Sequence, residues 1–486
     1  MIPPWLAPAV TLLHDLAPWL ISLLHVGFAS SVTVHALLKK RDVHRAVGWI
    51  ALAWLAPVAG ALLYLMLGVN RIRRAGVALG LKAAWRSERD SADASVEPDA
   101  SCLPDLAGIN RLTRQITGNA LLAGNQLVPL INGDEAYPAM LAAIDGAQRS
   151  VTLSTYIFND DVAGRAFALA LAGAQQRGVQ VRVLIDAVGA RYSPASMLKH
   201  LRRHRVPVAV FLPPRLTGLL AHANLRNHRK IMVVDGELGF TGGMNISAGH
   251  WLSTQPVFPI QCLHFSVRGP VVADLQRTFA IDWAFTTREA LHGATWFAPS
   301  AACGLVLARG VSDGPDGDID HMRQVILGAL AIARHRVCIM TPYFLPDDVL
   351  LTTLQVTALR GVVVDIVLPA RSNLPLLDWA MRPQFARLVS SGCRIHLTGP
   401  TFDHTKLFLV DDAWSLIGST NWDARSLRLN FEYNLECQDP QLVAQLKTLA
   451  QDRMARAQQL MPEDLARQPL LAKLRDRLVW LLSPYL

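Results

Sequence analysis

Five side chains recur in the same order and spacing in two distant stretches of this chain, and no other feature restricts its possible folds as much. The first stretch holds His228, Lys230, Asp235, Gly242 and Asn245; the second holds His404, Lys406, Asp411, Gly418 and Asn421. Counted from each histidine, Lys stands at +2, Asp at +7, Gly at +14 and Asn at +17 in both. A lone His-x-Lys would mean little, because histidines near lysines are common. Five matched positions point instead to duplication, with two similar halves about a pseudo-two-fold axis. A site on that axis draws on both halves.

Each copy also makes physical sense by itself. Residues two apart on a strand face the same side, so imidazole and ammonium can reach one phosphate. Ile231–Val234 and Leu407–Val410 are apolar runs typical of buried strands. The glycine-rich turn that follows, ending in Asn245 or Asn421, can bring backbone N–H groups and a side-chain amide to phosphate oxygens.

The surrounding pattern alternates strands and helices, twice. In the first half, 136–147 is amphipathic, 150–158 strand-like, 163–176 helical and 178–186 a buried strand. In the second half, 319–332 reads as helix, 336–344 as extended, 348–359 as helix and 361–369 as the matching strand. Apolar runs bounded by Gly and alternating with helices predict an α/β fold: two similar domains, each a mixed sheet flanked by helices. We place them at 111–300 and 301–460.

The N-terminus belongs to another class. Residues 17–38 and 46–70 contain no Lys, Arg, Asp or Glu, and each run is long enough to cross a bilayer as a helix. Two transmembrane helices are therefore expected within 1–75, the second open to a kink at Pro57, with Trp19, Trp49 and Tyr64 towards their ends, where an aromatic belt falls. A signal peptide fits less well, since the start lacks Lys and Arg and two long runs follow one another. Positive charge gives conflicting votes on orientation: the loop with Lys39, Lys40 and Arg41 is basic, and so is the segment with Arg71, Arg73, Arg74, Lys82 and Arg86. An even number of crossings still leaves both ends on one side. A polar linker is expected over 76–110, and residues 461–486 form an amphipathic tail suited either to anionic headgroups or to packing on the preceding domain.

Formal net charge is +9, which suits a partner carrying phosphates, either an anionic bilayer or nucleic acid. The six cysteines form no CxxC pair, so neither a zinc site nor a disulfide framework is suggested. No His/Cys/Asp/Glu cluster stands at metal spacing, and no cofactor is called for.

The paired His-x-Lys-x4-Asp motifs resemble the signature of the phospholipase D superfamily. Arg226–Lys230, Thr241–Ile246, the run Arg425–Glu432, and the two N-terminal apolar runs narrow the resemblance to bacterial cardiolipin synthases. It covers nearly the whole chain and implies two phospholipase D-like domains behind membrane helices. It also implies a multi-pass protein of the bacterial inner membrane, its catalytic part cytoplasmic. The implied substrate is phosphatidylglycerol at an anionic bilayer; no nucleic acid is expected, and oligomeric state is left open. The implied chemistry is double displacement at phosphorus. His228 attacks one phosphatidylglycerol, His404 protonates the departing glycerol, and a second phosphatidylglycerol, deprotonated by His404, takes the phosphatidyl group. A hydrolase, or a transferase with another alcohol acceptor, would use the same motifs. A membrane-tethered nuclease is less favoured, since such enzymes need no bilayer helices.

These residue types suit the tasks. Imidazole can be a nucleophile or an acid near neutral pH, and two histidines sharing a phosphate titrate as a coupled pair. Lys230 and Lys406, with Asn245 and Asn421, would neutralise charge on the non-bridging oxygens. The resemblance places Glu432, 28 residues after His404, as a carboxylate that orients a motif histidine. The matching segment of the first half reads Gln261-Cys262-Leu263-His264, with Cys262 where the family usually has an acid. Asp235 and Asp411 belong to the motif but fall at the far end of each strand. A structural role is expected for them, holding the halves together or pairing with Arg.

Overall fold

The computed structural model describes residues 7–40, 43–56, 58–68, 104–192, 197–213 and 225–483. Most of the expected linker, and Arg71, Arg73, Arg74, Lys82 and Arg86 beside it, lie outside the described residues, as do Arg41 and Asp42. Two units are distinct, an N-terminal helical unit and a larger α/β body.

The helical unit opens with Ala7–Lys39, of which Leu16–Lys39 is long and apolar enough to cross a bilayer: 24 residues at about 1.5 Å each exceed a hydrocarbon core of about 30 Å. The second run is interrupted near Pro57. Its helix Val43–Leu55 stops two residues before Pro57, and a short helix, Ala59–Leu63, resumes and ends in a wider π turn, Tyr64–Gly68. Proline lacks the N–H that would continue the ladder. The second run is thus broken, and neither piece alone has the length of a span. Ala29, Ala36 and Ala53 are buried in this unit, small enough to let helices approach closely. The indole of Trp54 donates to Thr33 Oγ1 at 3.1 Å.

In the α/β body the duplication is visible strand by strand. From centre to edge the first half contributes Leu122–Ile131, Leu263–Arg268, Leu238–Gly242, Ile231–Val234, Ser150–Thr155, Gln180–Asp186 and Val208–Phe211. The second repeats that order with Val306–Asp313, Asn430–Gln438, Trp414–Gly418, Leu407–Val410, Arg336–Met340, Val363–Pro369 and Arg394–Thr398. Leu122–Ile131 and Val306–Asp313 pair antiparallel, so the halves share one continuous mixed sheet about a pseudo-dyad at its centre. The outer strands of each half are parallel, which explains their unbroken apolar runs.

Helices cover the sheet where the periodicity places them: Asn132–Gly146, Val162–Gln176, His321–Ile332 and Asp348–Leu359. Asp161 and Asp347 cap two of them, accepting backbone N–H groups that the first turn leaves unpaired. One core cluster combines Ile231, Phe265 and Val267 of the first half with Leu407, Ile417 and Leu435 of the second. The halves therefore cannot shift relative to each other without opening shared apolar packing.

Candidate active site

Each His-x-Lys segment is bonded to the opposite half. Arg226–Asn227 runs parallel to Asn430–Phe431, and the His228 amide donates to the Phe431 carbonyl at 2.9 Å. The mirror arrangement pairs Phe402–Asp403 with Ile260–Gln261, and the His404 amide donates to the Gln261 carbonyl at 2.7 Å. This crossing decides which group stands behind each histidine. Nδ1 of His228 lies 2.9 and 3.0 Å from the two oxygens of Glu432. Glu432 thus serves the first motif, although it follows the second in sequence.

The equivalent position behind His404 is Cys262. The sheet register makes the two positions correspond: Gly242 faces His264 and Gly418 faces Asn434, and Cys262 and Glu432 each precede those partners by two. Cys262 lies 3.3 Å from the His404 carbonyl, and the His404 Nδ1 donates instead to the Gly243 carbonyl at 3.0 Å. Among the described residues no carboxylate is bonded to this ring. The missing acid therefore affects the second histidine rather than the first.

The neighbours of the two positions differ in step. Glu432 also accepts from Asn430 Nδ2 at 3.1 Å and from the Ser419 hydroxyl. Ser419 corresponds to Gly243, where a Cβ would stand 2.7 Å from the Cys262 sulfur and 2.9 Å from the His404 carbonyl. A serine cannot be accommodated there without displacing both. The mismatch between Gly242-Gly243 and Gly418-Ser419 is visible in the sequence, but its meaning depends on the crossed partners.

His228, Lys230, His404 and Lys406 are all buried and within one another's electrostatic field. Burial, assisted by Lys230 and Lys406 and opposed by Glu432, brings His228 down to about 4. Burial lowers Lys230 to about 7 and Lys406 to about 8. His404 lies well below the usual imidazole range, through burial first, then Lys406, His250, Lys230 and His228. Burial works to raise Glu432, but His228 and its hydrogen bond, Lys230 and Ser419 hold it below the ordinary carboxylate value. The direction that governs the pair is an ionised Glu432 accepting from a neutral imidazole, which leaves Nε2 as the unprotonated ring nitrogen. Each lysine ammonium donates to the carbonyl of its own histidine, at 2.6 Å for Lys230 and 2.8 Å for Lys406.

Aromatic walls complete the two sides. Tyr156 meets His228 edge-on at 5.2 Å between ring centroids, and Tyr343 meets His404 at 6.2 Å. Neither tyrosine, nor Ser419, Asn430 or the buried His250 beside His404, was marked by the motif spacing. Asn245 accepts from the Ile157 amide at 3.3 Å; Asn421 donates to Ser426 at 3.0 Å, and its Oδ1 has no partner among the described residues.

The motif aspartates are bonded elsewhere. Asp235 accepts the amides of Gln148 (2.9 Å), Arg149 (2.7 Å) and Ser150 (2.9 Å); Asp411 accepts those of Arg334 (3.0 Å), His335 (2.8 Å) and Arg336 (2.9 Å). Both have positive φ, 55° and 52°, at the turn ending the motif strand. Each secures a turn within its own half. They do not tie one half to the other, because the amides they accept open the neighbouring strand of the same half.

Duplicated α/β halves that bring two His–Lys pairs to one pseudo-dyad define a phospholipase D-like protein. A family model described as "Cardiolipin synthase, PLD-like domain" matches residues 140–283 and 326–454, one motif in each segment. Cardiolipin synthase A of Pseudomonas putida (strain GB-1) is 32% identical over 481 residues, covering 96% of this chain and 98% of the relative. Cardiolipin synthase A of Pseudomonas aeruginosa (strain LESB58) is 30% identical, covering 96% and 95%. The crystal structure of phosphatidylserine synthase from Haemophilus influenzae Rd KW20 superposes with a TM-score of 0.59 at 16% identity, covering 78% of this chain and all of that one, a likeness of fold. The chain belongs to the cardiolipin synthase family.

Proposed function

We propose that this chain is a cardiolipin synthase, a phosphatidyltransferase that moves a phosphatidyl group from one phosphatidylglycerol to a second and releases glycerol. The observation that carries the assignment of roles is the unequal backing of the two histidines. The carboxylate of Glu432 stabilises positive charge on His228 as its Nε2 bonds to phosphorus, which favours His228 as the nucleophile. His404, backed by a neutral carbonyl, is suited to giving and taking a proton. In the first step the N–P bond forms, the P–O bond to glycerol breaks, and the glycerol oxygen takes the proton of His404. In the second, the hydroxyl of the acceptor lipid returns a proton to His404, its oxygen bonds to phosphorus, and the N–P bond breaks. His404 must begin protonated; the negative phosphodiester opposes the burial and the two lysines that hold it well below the usual imidazole range. Lys230, Lys406, Asn245 and Asn421 take the role of binding the non-bridging oxygens.

Two duplicated segments, close to 111–300 and 301–460, act as a single catalytic unit in this reading, held to the cell membrane of a bacterium through the N-terminal helices. The catalytic body lies in the cytoplasm and the protein is multi-pass; protease protection in spheroplasts tests both. Product analysis on the purified protein in phosphatidylglycerol vesicles tests the reaction. Cardiolipin with equimolar glycerol is expected, and phosphatidic acid as sole product would overturn it in favour of a hydrolase. A mixed product after adding another lipid alcohol would widen the acceptor class.

A further inference from the structure

The helix Leu470–Trp480 is amphipathic in an inverted sense. Its buried side carries Asp476 and Val479, 1% and 9% exposed, and packs on the helix Pro375–Ser390. Its outer side carries Leu470, Leu471, Leu474 and Leu478, each more than half exposed, and Leu481 and Leu482 continue the row at 65% and 51%. At 100° per residue these six leucines fall within an arc of roughly 120°. A helix that needed only to pack on its own domain would turn these leucines inward. The buried side is instead occupied by a carboxylate held by Gln468 and Arg475.

The charges beside the row are of one sign. Lys473 and Arg477 flank it, and the stretch 470–483 has no acid except the buried Asp476. Lys473 and Arg477, with Arg382 across the gap, line a cavity of about 370 Å3 between these two helices and the short helix Pro462–Ala466, whose Ala466 carbonyl accepts from Lys473 at 3.1 Å. A row of leucines at the depth of acyl chains, with long cationic side chains reaching the headgroup level, is the arrangement of an interfacial helix on an anionic bilayer. A second copy of the chain fits less well, since its leucine row would bring the same cations to the seam and, within 470–483, only the buried Asp476 to meet them.

We propose that this face docks the α/β body on the surface of an anionic bilayer, leucines in the acyl boundary and Arg382, Lys473 and Arg477 on lipid phosphates. The contact is separate from the reacting histidines and does not depend on which alcohol is the acceptor. The test uses the full chain with Cys102 and Cys303 changed to Ser and an environment-sensitive fluorophore on Leu474→Cys or Leu478→Cys. In phosphatidylglycerol vesicles the emission should shift to the blue and be quenched by lipids brominated in the acyl chain. Both effects should weaken in phosphatidylcholine vesicles, or when Arg382, Lys473 and Arg477 become Gln. Water-like emission in phosphatidylglycerol vesicles would overturn the proposal. A blue shift without quenching by brominated lipid would also overturn it, by indicating a protein partner such as a second copy.

Discussion

Replacing Glu432 by Gln tests the crossed partnership directly. The amide can keep Oε1 towards His228 Nδ1 and Asn430 while its NH2 faces Ser419, whose hydroxyl has the Tyr433 carbonyl, at 3.3 Å, as another acceptor. The fold should therefore survive, and the variant loses chiefly a charge. Exchanging a charge-assisted hydrogen bond for a neutral one removes about 1–2 kcal/mol. The lost attraction to an imidazolium about 4 Å away is worth up to about 4 kcal/mol at an effective dielectric of about 20. Since positive charge on His228 is only partly developed in the transition state, a combined loss of about 2–4 kcal/mol, or about 30- to 1,000-fold in rate, is expected. Because Glu432 faces Nδ1 and not the substrate, the loss should fall on kcat with KM nearly unchanged. Rapid-quench single turnover with phosphate-labelled phosphatidylglycerol should show a slower burst of labelled enzyme, with the melting curve preserved. A burst within threefold of the parent in a folded variant would refute the crossed assignment, and so would a rise in KM alone.

Three further outcomes are expected. His228→Ala and His404→Ala should each abolish turnover while the protein still folds in the membrane; substantial activity in either, assayed as cardiolipin formed, would contradict the two-histidine reaction. Asp235→Ala or Asp411→Ala should lower the melting temperature, since each leaves three backbone amides unpaired at a cost of roughly 1–3 kcal/mol, whereas Asn, which tolerates the left-handed turn, should cost less. The folded fraction of the Asn variants should keep its kcat. In kcat/KM, which reports the free enzyme, activity should rise as His228 loses its proton near about 4 and fall as His404, which burial and then Lys406 hold well below the usual imidazole range, loses the proton it must donate; Lys230 adds a second loss near about 7. Replacing Lys230 by Arg should remove only that second loss, leaving the limb set by His404, even if the plateau falls.

Much of this architecture could be read from period and spacing. That the two halves share one strand order follows from the repeat, and the parallel outer strands fit their uninterrupted apolar runs. The helix Asp348–Leu359 matches its expected bounds, and the others agree to within four residues at either end. One interruption was legible and one feature was not. Pro57 marks in the sequence where the second apolar run divides into Val43–Leu55 and Ala59–Leu63. The strand Asn430–Gln438 alternates polar and apolar residues, a pattern that normally marks one face in water, yet every residue in it is buried. Its polar face forms an internal network: Glu432 with His228, Asn434 with Thr420 at 2.6 Å, Glu436 with Arg309 at 2.7 Å and with the Trp414 indole at 2.9 Å. Alternation identifies a strand, whereas the medium on each side depends on which element lies across it.

The same strand explains how a duplicated chain can acquire unequal chemistry. Had each half oriented its own histidine, changing one acid would have altered one self-contained site. Because each histidine is bonded to the other half's strand, a substitution in the first half at Cys262 acts on the second motif, while Glu432 in the second half acts on the first. Each substitution also has a local companion: Ser419 can reach Glu432 because the second half has room for a side chain there, and Gly243 can offer its carbonyl to His404 because the first half has none. A shared core fixes the two motif strands against each other, so unequal partners can tune the two imidazoles without shifting the strands that carry them. In the double displacement proposed above, one imidazole keeps phosphorus while the other exchanges protons with two successive alcohols, and unequal backing favours one assignment of those roles. In the proposed reaction the paired motif works through the difference between its copies, with Cys262 behind His404 one source of that difference.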